Sequence, residues 1–337
     1  MDVTGISDSL KALLLLCGNF GEGEASAAPP LSPGEYHRLA AALETQGVPL
    51  SDLAAGTALP DHLPPGGNRE RLGQLLARGA ALAFTVERWT NKGLWILGHT
   101  EADYPPRLRD RLESQAPPLL YGCGEVRLLY GGGLAVAGSR RVDEEGGRFA
   151  EEAARAAARQ GMTVIHGEAR GVDQRASRAA LGEGGTVVGV PADSLLRIAL
   201  RPEVRDALRE GRMALAGPYH PEAGFTIGGA MGRNKVIYAL SDFALVVSAE
   251  FEKGGTWGGA VEELRRERSV PVFVRAEEPV PRGNRELLQR GALPFPAQPW
   301  DRPLAELLTS AARARNPRLP LQDDLFAGNG AGGDDSE

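Results

Sequence analysis

The chain has 337 residues, 42% of them hydrophobic and 24% charged, with a formal net charge of -6. That length points to a main domain with smaller flanking parts, and the balance is ordinary for a soluble globular protein. Two cysteines, Cys17 and Cys123, exclude a disulfide framework, and the acidic sum argues against a protein that coats nucleic acid with a broad basic surface.

The five histidines follow no HxxxH or HExxH spacing, so neither a metal site nor a cofactor is expected. No apolar run approaches the roughly 20 residues of a membrane span. The run 12–17, ALLLLC, is too short for a signal core and has Leu16 where a small residue should precede the cysteine. It reads as part of a short amphipathic helix in a cytoplasmic protein. Charge is uneven along the chain. Residues 1–130 hold 11 basic and 15 acidic residues, residues 301–337 hold 4 and 7, and residues 131–300 hold 23 and 22. The flanks carry the acid, and the middle is free to carry a basic face.

In chain order, residues 1–16 are expected to form one short helix, and the Gly-, Ala- and Pro-rich stretch 18–31 a loop. Ser32-Pro33-Gly34-Glu35 has the form of a capped helix start, with Ser32 at N-cap and Glu35 closing a capping box. Three or four short helices follow up to about Thr90, completing an N-terminal helical region over 1–93. Residues 94–120 read as a connector with a short strand at Trp95-Ile96-Leu97. From there apolar runs of strand length alternate with helical patterns. Strands are expected at 134–137, 163–165, 186–190, 213–215, 243–247 and 270–274. Helices are expected at 144–160, 172–181, 194–210, 233–240 and 259–268. Continuous apolar strands alternating with helices predict an α/β fold, a Rossmann-like doubly wound, mostly parallel sheet over 94–300. The remainder, 301–337, reads as a helix and a disordered acidic tail.

Four segments at expected strand ends or helix starts combine glycine with a cation. Gly138-Ser139-Arg140 follows the first strand of the alternating region, where glycine lets a ligand approach and arginine suits a phosphate. A tight turn with an exposed arginine is the competing reading. The second strand runs into His166-Gly167-Glu168-Ala169-Arg170-Gly171-Val172-Asp173, in which Gly167, Arg170 and Gly171 are the candidates. His166 reads as a hydrogen-bonded loop residue rather than a catalytic base. Gly232-Arg233-Asn234-Lys235 is expected to open a helix, placing two cations and an amide at its N-terminus. Lys253-Gly254-Gly255-Thr256 leads into Trp257, its glycines exposing N–H groups; Trp257 is read as a stacking residue or, more commonly, a buried one. Four such segments on one sheet edge predict a phosphate-binding site.

These residues carry a resemblance. Ala137-Gly138-Ser139-Arg140, the His166–Asp173 loop, Ala180-Leu181 and Gly184-Gly185-Thr186-Val187-Val188-Gly189-Val190 resemble the VGSR, SGxAxGID, AL and GGxTIAV of the DprA/Smf family of DNA-processing proteins. Tyr104-Pro105-Pro106-Arg107-Leu108 and Pro117-Pro118-Leu119-Leu120 match upstream. Arg233-Asn234-Lys235 with Leu240-Ser241-Asp242 is similar to RNRxI…LSD, Lys253-Gly254-Gly255-Thr256 stands at KSGS, and Gly283-Asn284 with Leu287, Gly291 and Ala292 resembles GxNxLIxxGA. The family's Phe three residues before RNR is Ala230 here, His166 replaces Ser and Ser177 replaces His. The helix-turn-helix-like C-terminal domain of many members has no counterpart. The resemblance implies an extended Rossmann-like fold, sequence-tolerant single-stranded DNA binding in natural transformation and recombination, a homodimer, and loading of RecA. It gives phosphate contacts to the arginines and lysines named above.

Two further expectations stand beside it. Gly254-Gly255-Thr256 with Glu262-Glu263 partly resembles the PGGxGTxxE of phosphoribohydrolases that act on nucleoside monophosphates. In that alternative Arg233 holds phosphate and Glu262 acts on the ribose; otherwise Glu262 is a solvated helix carboxylate. In the tail, Gln322-Asp323-Asp324-Leu325-Phe326 is similar to the QLxLF peptides that dock sliding clamps, with Gln322, Leu325 and Phe326 as anchors. A helical cap packed on the core is the competing reading.

Overall fold

The computed structural model describes residues 5–20, 28–55, 59, 62–300 and 302–315. Its strands are β1 (Trp95–Gly98), β2 (Leu119–Gly124), β3 (Leu134–Gly138), β4 (Val164–His166), β5 (Val187–Gly189), β6 (Met213–Gly217), β7 (Phe243–Ser248), β8 (Val272–Val274) and β9 (Leu293–Pro294). They form one sheet in the order β1-β2-β6-β5-β4-β3-β7-β8-β9. The six pairings from β6 to β9 are parallel, and the two made by β2 are antiparallel. The expected doubly wound, mostly parallel α/β sheet is the fold observed.

The first helices are α1 (Asp8–Cys17), α2 (Pro33–Thr45), α3 (Leu50–Ala54), α4 (Arg69–Leu76) and α5 (Gly79–Asn91). Next come α6 (Pro106–Leu112), α7 (Glu144–Arg159), α8 (Val172–Gly182), α9 (Leu195–Ala199) and α10 (Pro202–Arg209). The last are α11 (Ile227–Leu240), α12 (Gly254–Leu264), α13 (Arg282–Gln289) and α14 (Leu304–Arg315). At the start of α2 the capping box is present: Glu35 N–H donates to Ser32 Oγ at 3.4 Å and Ser32 N–H to Glu35 Oε2 at 2.8 Å.

Alternation along each strand divides the core in two. Leu134, Val136, Val164, Leu245 and Val247 face one layer with α1, α7, α8 and α14, while Ala135, Ile165, Ala244 and Val246 face α6, α11 and α12 on the other. β3 leads through α7 to β4 on one side; its other neighbour, β7, leads through α12 to β8. The connections therefore diverge between β3 and β7, which opens a crevice outside their carboxyl ends.

Several boundaries differ from expectation. β2 begins at the end of the expected connector and runs on to Gly124, hidden because glycines at 122 and 124 break its apolar run. Gly122 is required there: a Cβ would lie 2.1 Å from the Trp95 ring and 2.3 Å from the Leu215 carbonyl oxygen. The helix expected over 194–210 is two, because Pro202 cannot continue α9 and instead starts α10. α11 starts at Ile227, capped by Thr226, so Arg233-Asn234-Lys235 lies inside it rather than at its N-terminus. Three glycines at 228, 229 and 232 concealed those first turns. α12 starts at Gly254, so the glycines expected in a loop form its first turn.

Two of the motifs read from the sequence meet in one buried contact. Arg107, on α6, pairs with Asp242 at the head of β7, and Asp242 Oδ2 also accepts from the Gly133 N–H at 2.8 Å. Both ionised groups are nearly out of water. Replacing one alone strands the other, which costs about 3–5 kcal/mol. Asp242→Ala is expected to lower unfolding free energy by that amount in urea denaturation; a loss under about 1 kcal/mol would show the pair to be solvated rather than buried.

Candidate functional site

At the carboxyl ends of β3 and β4 the backbone is drawn into close contact. A Cβ on Gly138 would lie 2.4 Å from Val172, and one on Gly171 would lie 2.4 Å from the Ser139 carbonyl oxygen. Gly171 has φ +82°, a conformation suited to glycine. The two loops therefore abut. Thr256 Oγ1 donates to the Gly138 carbonyl at 3.1 Å, which ties the first turn of α12 to the same corner.

Arg233 reaches this corner from α11. It is only 7% exposed, and its guanidinium lies flat against Gly167, where a Cβ would stand 1.5 Å from Nη1. Its Nε is buried without a partner, and no hydrogen bond or ion pair within the described residues engages the guanidinium. Burial pushes its pKa down, opposed first by the charge of Asp173. Asp173 is itself buried, and Oδ2 accepts from the N–H groups of Gly167 at 3.0 Å and Ala169 at 3.3 Å. Burial pushes its carboxyl up to about 6 against the Arg233 charge and those donors, so it is ionised at neutral pH.

His166 and Glu168 complete the floor. His166 is fully buried, and burial together with Arg233 takes its pKa down to about 3, so the ring is neutral. Its Nδ1 accepts from the Glu168 N–H at 3.0 Å, which leaves the proton on Nε2, 3.7 Å from Glu168 Oε1. The ring is hydrogen-bonded through Nδ1 as read from the sequence, but His166 ends β4 instead of standing in the loop, and its Nε2 is buried without a hydrogen-bond partner. Glu168 sits at φ +56° with its carboxyl buried. Burial pushes that carboxyl up to about 7, opposed by Arg201, whose Nη1 lies 3.4 Å from Oε2.

Of the residues singled out in the sequence, Gly138, Ser139, Arg140, Gly167, Gly171, Arg233 and Thr256 are brought together here. Arg140 is exposed, its guanidinium 4.8 Å over the Phe225 ring, and Arg170 is exposed on the neighbouring loop. Asn234 is a strut: Nδ2 donates to the Gly255 carbonyl at 3.0 Å and binds α11 to α12. Lys235 is committed to Gln115 Oε1 at 2.8 Å and Glu262 at 3.0 Å, and Lys253 to Glu250 at 3.0 Å. Glu262 is 42% exposed in its side chain. Trp257 is buried against Phe251 and Arg290. Gln322, Leu325 and Phe326 lie outside the described residues. Sequence reasoning missed Tyr219, Phe225 and Arg201. An exposed aromatic amid glycines was the available signal for Phe225; Arg201 had none, since its role depends on the break before Pro202.

A pH dependence follows from Glu168. Folding raises its pKa from the ordinary 4.5 to about 7, so the native state holds the extra proton between those values. The stability it lends is full below about pH 4.5 and is lost as pH rises to about 7, by up to about 3 kcal/mol. Asp173 adds a change of the same sign from its ordinary 3.8 to about 6. Denaturation at pH 5 and pH 8 is expected to show a decline in the native chain that Glu168→Gln flattens. An equal decline in both would assign the slope elsewhere.

A family model described as DNA recombination-mediator protein A matches residues 95–299. Protein Smf of Escherichia coli (strain K12) is 31% identical over 194 residues, 56% of this chain and 51% of that protein. The chain thus spans about half the length of that curated relative. Among solved structures, the X-ray structure of DNA processing protein A (DprA) from Streptococcus pneumoniae gives a TM-score of 0.62 at 19% identity, covering 86% of this chain and 94% of that one. A Helicobacter pylori DNA processing protein A structure, described for its single-stranded DNA binding mode, gives 0.51 at 22% identity over 66% and 97%. These two likenesses bear on the fold. The matched residues take in all nine strands, the crevice between β3 and β7 and the Arg233 seat, and the chain belongs to the DNA recombination-mediator protein A family.

Proposed function

We propose that the chain binds single-stranded DNA, seating a backbone phosphate on Arg233 outside the carboxyl ends of β3 and β4. The observation that carries this reading is a buried guanidinium with no anion bonded to it among the described residues. A cation removed from water is costly unless paired, and a phosphate oxygen supplies the missing partner in a charge-assisted bond. Arg140 and Arg170, exposed on the two abutting loops, extend the seat towards neighbouring phosphates. Phe225, 44% exposed and already under the Arg140 guanidinium, offers a ring for stacking where the aromatic nearer Arg233 is absent. Membership of the DNA recombination-mediator family supports the wider role: shielding incoming single strands and assisting their loading with RecA, as a homodimer in the cytoplasm. No helix among the described residues is long and apolar enough to cross a membrane.

The hydrolase alternative requires Glu262 beside Arg233. Its carboxylate is instead held by Lys235 Nζ at 3.0 Å, and the charges felt by Arg233 come first from Asp173, Arg140, Tyr219 and Glu168. The geometry favours binding over nucleotide hydrolysis.

Fluorescence anisotropy with a single-stranded oligonucleotide tests the proposal. Binding is expected to fall with salt on a log–log slope of about -2, from roughly three phosphate contacts at about 0.7 each. Arg233→Gln and Arg140→Ala are each expected to weaken it about ten-fold or more, and Gly167→Ala to match Arg233→Gln, because the new methyl displaces the guanidinium. Affinity unchanged in the Arg140→Ala/Arg233→Gln double variant would overturn the proposal.

A further inference from the structure

We infer that the large cavity beside Arg233 seats nucleobases of the strand whose phosphate Arg233 holds; this rests on the single-stranded DNA reading above. The cavity measures about 750 Å³, within the roughly 300–1,000 Å³ of small-molecule sites. It lies at the carboxyl ends of β5 and β6, with Pro191 and Gly217 in its floor, and extends to the N-terminal helical part at Cys17 and Leu31. Gly232, the residue before Arg233, is part of its wall. Tyr219 links the two places: a Cβ on Gly232 would lie 2.4 Å from its Oη, and its phenol feels the Arg233 charge. A phosphate on Arg233 thus has its own nucleoside at the mouth of the cavity.

The chemistry of the wall selects bases over further phosphates. Lys235, its cation, is already engaged by Glu262 and Gln115, and its carboxylate, Asp193, by Arg197, so no free cation is left in the wall to hold a second phosphate. The rest is mainly proline, glycine and aliphatic surface, with Tyr121 and Tyr219. Such walls suit a flat, uncharged ring and lose little side-chain entropy on binding it. Next in the chain to the lining residues Gly224, Thr226 and Gly232, the side chains of Phe225, Ile227 and Met231 are 44%, 75% and 46% exposed, an unusual cost in water for the first two turns of a helix and the loop before it. A base entering the cavity covers part of that surface.

The test compares an oligothymidylate with an abasic strand of equal length and charge. The native chain is expected to bind the intact strand at least about ten-fold tighter, the worth of one stacked base. Gly217→Leu and Gly228→Phe fill the cavity from opposite sides; a Cβ at Gly217 meets only the Pro191 carbonyl oxygen at 3.8 Å, and one at Gly228 meets nothing within 4 Å. Both variants are expected to keep the native melting temperature, to bind the abasic strand like the native chain, and to lose the preference for the intact one. Arg233→Gln is expected to weaken both strands alike. Equal binding of the two strands by the native chain, or a preference that survives in both filled variants, would overturn the base site and leave the phosphate seat standing. Failure of the native chain to bind either strand would remove both.

Discussion

A guanidinium held out of water with no anion bonded to it is the constraint around which this corner of the fold is arranged. Stripping a cation of its hydration costs several kcal/mol, and a direct ion pair is the usual compensation. Arg233 has none among the described residues. Its compensation acts through space: the buried Asp173 carboxylate, turned towards backbone N–H groups, is the first of the charges that oppose the cost of its burial. The three glycines follow from the same geometry. Gly167 gives up a side chain to admit the guanidinium, while Gly138 and Gly171 let the two loops close around it. The seat is built mainly from backbone approach, so a single methyl at Gly167 acts on it as strongly as the loss of the arginine.

The alternating core was legible in the sequence because parallel strands buried on both faces are continuous apolar runs, and 134–138, 164–166 and 243–248 are such runs. The antiparallel β2 was not, since Gly122 and Gly124 interrupt it and the requirement for Gly122 comes from Trp95 and Leu215, distant in sequence. The start of α11 was hidden for a related reason. Helix propensity argues against Ile227–Gly232, and the Thr226 cap with packing on α6 and α12 outweighs it. As a result the expected place of Arg233 was wrong: it lies inside α11, buried against Gly167, and not at a helix N-terminus.

Resemblance to a family motif did not separate binding residues from struts. Arg107 and Asp242 lie in two motifs and form one buried pair. Asn284, from the last motif, accepts from the Ala249 N–H at 2.9 Å and donates to the carbonyls of Val247 and Arg275, fixing α13 to the ends of β7 and β8. Asn234 clamps α11 to α12. All three polar devices hold a helix in place: the pair of Arg107 and Asp242 secures α6 at the amino end of β7, Asn284 secures α13 at the carboxyl ends, and Asn234 joins two helices. Spacing in sequence reports only that polar groups are needed; whether they face a ligand or a neighbouring helix is decided by tertiary partners.

Charge then limits what the site can be. Of the cations picked out from the sequence, Lys235 and Lys253 are neutralised by Glu262 and Glu250, which leaves Arg140, Arg170 and Arg233 to meet phosphates. Three contacts supply only a shallow salt dependence and a modest electrostatic share of affinity, in a chain whose net charge is -6. A strand drawn to such a surface must gain the remainder from contacts that salt does not screen. What the molecule offers beside Gly232 is a cavity walled mainly by proline, glycine and aliphatic side chains, whose Lys235 and Asp193 are already engaged by Glu262 and Arg197. On the proposed reading the phosphate seat would fix where the strand lies, and the cavity would make its bases, rather than further phosphates, the larger source of affinity.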